Sequence, residues 1–328
     1  MEIFSIFLQN ITSPPILFFV LGIIAGFLKS DLDIPDQISR YLSIYLMMAI
    51  GFKGGVAIAA TPEINSEIIL VIVAGIITGF TQPLIGYFLL RKTTKIDHVT
   101  ASAIAAHYGS ISMVTFVTAV SFLEINSVFY AGYIVAVLAI MEAPAILTGL
   151  FIAHKGHAHP KESNSKANSK LAKEIFTNGA ILLLTGSFII GAIGGESGMD
   201  KMEGFLVEPF QGILAFFLLD MGLLVSKQMH HLKEFNLRLF LFGIYMPLIG
   251  FVVGLALSLA IGLNVGTGFL FTVLIASSSY IAVTAAMRLA LPDAKSAIYI
   301  PMTLAITFPF NIAVGIPFYF YVVQKVLS

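Results

Sequence analysis

The sequence predicts an all-α polytopic membrane protein with ten transmembrane helices, arranged as two inverted five-helix repeats whose fourth and ninth helices are discontinuous. Three observations lead to this fold class: the apolar composition, the charge of the loops, and motifs that recur in both halves. Of the 328 residues, 58% are hydrophobic and only 11% are charged, and the mean hydropathy is +0.94. Soluble domains carry about 25% charged residues, so this composition indicates a protein that lies largely in lipid.

Ten apolar segments approach the roughly 20 residues that a helix needs to cross the bilayer. Glycine and proline within them are tolerated because neighbouring helices satisfy the exposed backbone groups. Residues 1–13 contain no lysine or arginine, and the apolar stretch after them lacks a small-residue cleavage site, so we interpret it as the first span and not as a signal peptide. The predicted segments are 14–28, 39–60, 65–90, 97–122, 127–153, 175–194, 205–226, 236–262, 266–290 and 296–324.

Basic residues in the loops predict the orientation. With the N-terminus outside, fifteen lysines and arginines fall on the cytoplasmic side, Lys201 and Lys325 fall outside, and Lys53 lies within a span. This asymmetry follows the positive-inside rule. We therefore predict a multi-pass plasma-membrane (inner-membrane) protein, embedded in membrane lipids, with both termini outside and the central linker in the cytoplasm.

Three motifs recur in the same order in the two halves, at similar offsets. The matched pairs are Pro83-Leu-Ile-Gly86 with Pro247-Leu-Ile-Gly250 (164 apart), Glu142-Ala-Pro144 with Phe308-Pro309 (165 apart), and Ile50-Gly51 with Met221-Gly222 (171 apart). Because five helices per repeat is an odd number, the second copy must insert in the opposite orientation. The predicted units are residues 1–154, a cytoplasmic linker 155–173, and residues 174–328.

The linker is polar and has no apolar periodicity, which is typical of a solvated connection. His154, His157 and His159 offer a weak alternative as metal ligands. Attraction to anionic lipid or docking of a regulatory partner is a further alternative.

Two hydroxyl-rich segments lie in the middle of long apolar stretches, Ala106–Thr115 and Ile275–Thr284. Polar groups at that depth persist only inside protein or against a wet cavity. In inverted-repeat transporters such helices are broken, and their half-helix N-termini bind anions. We therefore predict an anion-binding site, although helix packing through serine and threonine is the alternative. The predicted substrate-binding residues are Gly109, Ser110, Ser112, Ser277, Ser278 and Ser279.

Glu142, just before Pro144 in the middle of a span, is the leading candidate to bind Na⁺ or carry H⁺. Hydroxyls and carbonyls, including Thr115 and Asn311, are predicted to complete an oxygen shell. The alternatives are a neutral structural glutamate and, for Asn311, helix packing.

Four other embedded or boundary residues are candidates for a role in ion binding, pairing or anchoring. Asp220 is predicted to couple a cation or to pair with a base such as Lys53 or Lys227. Lys53, among glycines, is expected to pair with Asp220, to attract an anion or to extend its amine toward water. His107 is expected to be a hydrogen-bonded core residue or else a proton relay, and Arg288 a cytoplasmic boundary anchor.

Several functional classes are excluded. The sequence contains no HExxH, GxSxG or P-loop motif and no channel filter sequence, so we predict that it is not an enzyme. Cysteine is absent, which excludes disulfides and thiolate metal sites, and no transition metal or organic cofactor is expected. The zero net charge argues against nucleic acid as a partner.

The chain resembles the sodium-dependent bicarbonate transporter family over nearly its whole length. The resemblance is carried by Ile50-Gly-Phe-Lys-Gly-Gly-Val-Ala57, Gly109-Ser-Ile-Ser112, Met141-Glu-Ala-Pro-Ala145, Ile275-Ala-Ser-Ser-Ser279 and Arg288 before Pro292. It implies two inverted repeats forming core and gate domains, a homotrimer, and Na⁺-coupled bicarbonate uptake. The family also has a PII-like regulatory protein as a partner, but the short linker argues against its docking here.

Two departures from the family pattern bear on the substrate. Tyr280 follows the serine run where the bicarbonate-transporting branch has Asp, and Met113-Val114-Thr115 stands where that branch has Gly-Ser-Thr. The resemblance thus implies Na⁺ symport of bicarbonate or another small inorganic anion into the cell. Transport of a small organic carboxylate, cation–proton antiport through Glu142 and His107, and membrane sensing through the linker are the alternatives.

Overall fold

The computed structural model describes residues 2–60, 66–155, 179–280 and 282–328. Every regular element in these ranges is helical, as predicted. The helices are α1 (Glu2–Ile11), α2 (Pro14–Phe27), α3 (Asp36–Ala59), α4 (Ser66–Thr93), α5 (His98–Gly109), α6 (Met113–Ile125), α7 (Ile134–Lys155), α8 (Gly179–Leu206), α9 (Phe210–Met229), α10 (Leu237–Ile261), α11 (Val265–Ala276), α12 (Ala282–Ala290) and α13 (Ser296–Leu327).

Eight helical segments of the described part are long and apolar enough to cross a membrane, when α5 and α6 are counted together. A ninth results if Ile3–Ile11 and Pro14–Phe27, which meet at 61°, form one bent span. The predicted segments 14–28 and 266–290 do not qualify alone, because α2 has 14 residues and the other is divided into α11 and α12. The protein is therefore a multi-pass helical membrane protein, and ten spans remain a prediction.

The sixth span and the N-terminal helix α1 differ most from the prediction. The sixth span, predicted to end at 194, continues as α8 to Leu206, and Gly195 within it has φ +55° and ψ −155°. Glycine adopts this conformation at little cost, so the chain bends there and resumes its helix through Glu196 and Asp200. A prediction from hydropathy alone ends the span before these charged residues. α1 was not predicted.

The helices divide into two packed groups, each with its own closest pairings. One group contains α2, α3, α8 and α9, in which α3 packs along α8 and α2 along α9. A Cβ added to Gly55 of α3 would lie 1.9 Å from the carbonyl oxygen of Phe188 on α8, so only glycine permits this approach. We call this the paired group.

The second group, which we call the core group, contains α4–α7 and α10–α13. In it α4 packs against α5 and α7, and α10 packs against α11. α13 contains two π-helical segments, Met302–Thr307 and Asn311–Gly315, beside Pro301, Pro309 and Pro317. Proline has no backbone N–H to donate within a helix, so neighbouring residues form the longer i→i+5 hydrogen bonds of a π-helix. Such wide turns often occur at functional sites.

Candidate functional site

Two helices are interrupted at the serine-rich segments, and the chain approaches both interruptions in the same way. Asp97 caps the N-terminus of α5, where its side chain accepts a hydrogen bond from the backbone N–H three residues later at 2.8 Å. Asn264 caps α11 with the same bond at 3.0 Å. Each helix ends at a serine with extended backbone, Ser110 (φ −97°, ψ 164°) and Ser277 (φ −93°, ψ 175°). The matched caps and ends give two half-helices of 12 residues each.

The two interruptions contact each other directly. The backbone N–H of Ser112 donates to Ser277 Oγ at 2.8 Å, and the backbone N–H of Ser279 donates to the His107 carbonyl at 2.9 Å. Serine-bearing segments from the two halves of the chain therefore lie side by side in the buried interior of the core group.

Two buried hydroxyls at the interruptions lack a partner. Ser110 Oγ and Ser278 Oγ have no hydrogen bond within the described part of the chain, although these residues are only 1% and 3% exposed. An unsatisfied buried polar group costs about 1–3 kcal/mol. These two hydroxyls, one from each interruption, are therefore available to bind a ligand.

Gln82 of α4 also reaches this region, and our sequence reasoning missed it. Its amide Nε2 donates to the Ile275 carbonyl at the end of α11 at 2.7 Å, whereas its Oε1 atom is buried and has no partner in the described chain. The one available signal was its place directly before Pro83 of the recurring motif. Gln82 thus fixes a half-helix end and presents an unused carbonyl oxygen.

Asn311 holds the neighbouring carbonyl of the same helix end. Its Nδ2 atom donates to the Ala276 carbonyl at 3.0 Å, and its Oδ1 atom accepts a bond from the Tyr319 hydroxyl at 2.9 Å. These bonds give Asn311 a structural role, and its predicted role as a cation ligand stays untested.

Three other predicted residues already have hydrogen-bond partners. Ser277 Oγ donates to the Leu274 carbonyl at 2.9 Å in addition to accepting from Ser112. Ser112 Oγ caps α6, accepting from Thr115 N at 3.2 Å and from Thr115 Oγ1 at 2.9 Å. Ser277 and Ser112 therefore stabilise the interruptions, while the Ser112 hydroxyl proton and the Thr115 lone pairs remain for a ligand.

Gly109 permits the close approach of α4 to the first interruption. A Cβ at this position would lie 2.2 Å from Pro83 Cγ and 2.4 Å from Pro83 Cδ. Because a proline ring cannot rotate away, Gly109→Ala should force the backbone to shift and destabilise the protein by about 1–3 kcal/mol. The thermal midpoint of the detergent-purified protein measures this effect. Gly86→Ala is the matched control, since its nearest atoms lie 3.7 Å away, and equal midpoints for the two variants would contradict the expectation.

Glu142 is buried on α7. It shares a helix face with Gly149, seven residues later, and a Cβ at Gly149 would meet the Ala106 side chain of α5 at 2.5 Å. This face of α7 therefore turns toward the first interrupted helix. Within the described residues no base forms an ion pair with Glu142. An unpaired buried carboxyl there either binds a cation or stays protonated.

Asp220 lies elsewhere, on α9 of the paired group, where it accepts a hydrogen bond from the Ser39 hydroxyl. Its predicted pairing with Lys53 is wrong, whereas Lys227 attracts the Asp220 carboxylate electrostatically without forming a direct ion pair with it. Lys53 forms an ion pair with Glu124 at 2.5 Å, and Lys227 pairs with Asp33 at 3.3 Å. Hydropathy predicts the depth of Asp220 along its helix but not the direction in which its side chain points.

His107 is fully buried and bonded at both ring nitrogens. Nδ1 lies 2.7 Å from the Ala103 carbonyl, Nε2 lies 3.1 Å from Thr284 Oγ1, and the ring packs on Tyr299 with centroids 4.7 Å apart. These contacts match the predicted core histidine. The described residues contain no group of three His, Asp or Glu side chains that could hold a metal ion.

Of the linker histidines, His157 and His159 lie outside the described residues, as does the linker from 156 to 173. His154 belongs to α7, where its Nδ1 lies 2.7 Å from the Leu150 carbonyl.

A cavity of about 600 Å³ lies between the two groups and reaches the second interruption. The paired group contributes α3 and α9, and the core group contributes Tyr280, α12 and α13. Tyr280 packs on Phe308, and its hydroxyl contacts Met221 Sδ of the paired group at 3.4 Å. The lining residues are Asp36, Ser39, Arg40, Ser43, Phe217, Met221, Leu224, Gln228, Tyr280, Thr284, Arg288, Ile300 and Leu304.

Comparison with known families decides among the functional classes. The model of the Na⁺-dependent bicarbonate transporter superfamily matches residues 14–324 of the chain. The chain belongs to this superfamily. The predicted resemblance is thereby confirmed, and membership supports a Na⁺-dependent bicarbonate transporter rather than an enzyme. A search of curated proteins finds no significant match.

Within this bicarbonate transporter superfamily member, the departure at Tyr280 has a defined setting. The residue borders both the serine-bearing interruption and the cavity, and it contacts both helix groups. An aromatic side chain here offers no carboxylate to a cation.

Proposed function

We propose that this protein is a secondary active symporter that carries bicarbonate, or a similarly small oxyanion, into the cell together with Na⁺. The main support is that two buried hydroxyls, Ser110 Oγ and Ser278 Oγ, have no partner in the described chain. They lie on two helix interruptions that are joined to each other by hydrogen bonds. A small oxyanion has the acceptors that these donors lack. Neighbouring Gly109, Ser112 and Ser279 form the rest of the proposed anion site.

The coupling ion is proposed to bind to oxygens of residues on α4, α6 and α7. Na⁺ is a hard cation, which carbonyl, hydroxyl and carboxylate oxygens suit. Gln82 Oε1, Thr115 Oγ1 and the carboxylate of Glu142 supply these types. A cation and an anion sharing a dehydrated pocket offset each other's cost of leaving water, and this is the proposed basis of coupling.

The proposed architecture has ten spans in two inverted repeats. It is supported by the matched caps Asp97 and Asn264 and by the extended serines that end α5 and α11. Both pairs are 167 residues apart, close to the 164-residue offset of the recurring Pro-Leu-Ile-Gly motif. We further propose a homotrimer in the plasma membrane with both termini outside. Chemical crosslinking in native membranes tests the trimer.

Alternating access follows from the two groups in this proposal. The 600 Å³ cavity lies between them and is lined by Arg40 and Arg288. The loop charges assign both arginines to the cytoplasmic side. We therefore interpret the described arrangement as open to the cytoplasm. Movement of the core group against the paired group would then expose the interruptions to the other side.

Counterflow in proteoliposomes tests the proposed function. Labelled bicarbonate should accumulate with Na⁺ and not when choline replaces it, and unlabelled acetate should compete poorly. Uptake that is independent of Na⁺ would contradict symport, and strong competition by acetate would favour the organic carboxylate alternative.

Glu142→Gln tests the coupling carboxylate. Because the amide keeps its size but loses a charge-assisted ligand, we expect the Na⁺ concentration for half-maximal uptake to rise about 10-fold or more. Glu208→Gln, at an exposed position, is the matched control and should leave this value unchanged. An unchanged Na⁺ dependence in Glu142→Gln would remove Glu142 from the cation site.

A further inference from the structure

Two guanidinium groups line the 600 Å³ cavity without a carboxylate partner. Arg40 comes from α3 of the paired group and Arg288 from α12 of the core group. Neither forms an ion pair with any described carboxylate. Arg288 lies beside the neutral hydroxyl of Tyr299. The two arginines therefore face the same water-accessible space from opposite sides of the junction between the groups.

The other lining groups suit an anion. Ser43 and Gln228 provide hydrogen-bond donors, whereas Thr284 Oγ1 already donates to the Tyr280 carbonyl. Asp36 is the one carboxylate among the lining residues. The Ser39 hydroxyl is already donated to nearby Asp220. Two guanidinium groups thus face the cavity together with one lining carboxylate, Asp36, while Asp220 lies behind Ser39 and is not a lining residue. Guanidinium forks bind planar oxyanions in a bidentate manner.

We propose that this cavity is a second anion site, in which a cytoplasmic oxyanion binds between Arg40 and Arg288 and holds the two helix groups in the cytoplasm-open arrangement. The inference rests on the proposed function, which assigns the cavity to the cytoplasmic side. A ligand that contacts both groups in only one arrangement shifts the equilibrium toward that arrangement. Accumulated bicarbonate would thereby slow its own further uptake.

The site is separate from the serine-bearing interruptions but adjoins them through Tyr280. Tyr280 directly follows Ser279, its carbonyl accepts a bond from Thr284 Oγ1 at 2.8 Å, and both Tyr280 and Thr284 line the cavity. An anion released from the interruptions would therefore meet the arginines on its way to the cytoplasm.

Binding to the purified full-length protein in Na⁺-free choline buffer tests the site. Thermal shift is titrated with bicarbonate and, separately, with inorganic phosphate, to distinguish the transported anion from a general oxyanion. Arg40→Gln and Arg288→Gln should each weaken the apparent affinity about 10-fold. Lys92→Gln, an exposed lysine outside the cavity, is the matched charge control, and Ser110→Ala with Ser278→Ala reports on the interruptions.

Loss in both glutamine variants, with binding retained in the lysine and serine variants, supports the second site. Unchanged affinity in the arginine variants, or loss confined to the serine variant, overturns it. Should a glutamine variant fail to fold, Arg40→Lys and Arg288→Lys keep the charge without the fork and should weaken binding less than 10-fold.

Uptake in right-side-out vesicles gives a second measurement. Internal bicarbonate should slow Na⁺-driven uptake by the wild type and have little effect on Arg288→Gln. Equal inhibition of both would overturn the regulatory part of the inference. Absence of any Na⁺-driven uptake would instead refute the proposed symport, because anion binding in Na⁺-free buffer is measured independently of it.

Discussion

Replacing Ser110 and Ser278 together by alanine should reduce Na⁺-dependent bicarbonate uptake about 100-fold or more without lowering thermal stability. Each hydroxyl is buried and has no partner in the described chain, so its removal takes away no existing hydrogen bond and relieves a desolvation cost of about 1–3 kcal/mol. In the proposed bound state each donates to a charged ligand. Losing two such bonds, at about 1.5 kcal/mol or more apiece, accounts for the expected factor.

Two further variants separate binding from packing. Thr272→Val removes another buried, unpartnered hydroxyl from α11, within the half-helix rather than at its interruption, and should leave uptake and stability nearly unchanged. Ser277→Ala removes a hydroxyl bonded to Leu274 and Ser112 and should lower the thermal midpoint. A lower midpoint for the double alanine variant, or an equal loss of uptake in Thr272→Val, would mean that Ser110 and Ser278 serve packing.

The interruptions were predictable because their causes are local. Serine and glycine in the middle of an apolar stretch favour caps and extended backbone over continued helix, and Ser110 and Ser277 adopt that backbone. Their contact was harder to foresee, because Ser112 and Ser277 are 165 residues apart and only the recurrence of motifs linked the two halves. The sequence therefore indicated two polar segments, and tertiary packing decided which of their hydroxyls remain unpartnered.

Side-chain direction explains what the sequence did not reveal. Gln82 looked like part of a proline kink, yet it donates to Ile275, 193 residues away. Asp220 and Lys53 are candidates for a mutual ion pair by sequence, although they point to different neighbours. Hydropathy gives the depth of a residue in the membrane, whereas pairing depends on its angle about the helix axis and on which helix packs there.

Glu124→Gln should break an ion pair that holds the two helix groups together at the end of the molecule opposite the large cavity. Lys53 of the paired group bonds Glu124 of the core group at 2.5 Å, and its Nζ lies 4.9 Å from the centre of the Phe210 ring. Lys53 is 13 residues beyond Arg40 on α3, about 20 Å along the helix. Because alternating access must separate the two groups at this end, breaking the pair should favour the opposite arrangement. Since the side chains are 20% and 28% exposed, we expect a shift of about 1.4 kcal/mol, between the values for exposed and buried pairs.

Cysteine labelling measures this shift cleanly, because the protein contains no cysteine. Val56, which lines a cavity of about 290 Å³ beside Lys53, is 9% exposed and would carry the single cysteine. Glu124→Gln should speed its reaction with a membrane-impermeant maleimide about 10-fold, the factor equivalent to 1.4 kcal/mol. The charge exchange Lys53→Glu with Glu124→Lys should restore most of the slow rate, although the contact with Phe210 is lost. Equal rates in the wild type and Glu124→Gln would mean that the ion pair joins two surfaces that never separate during transport.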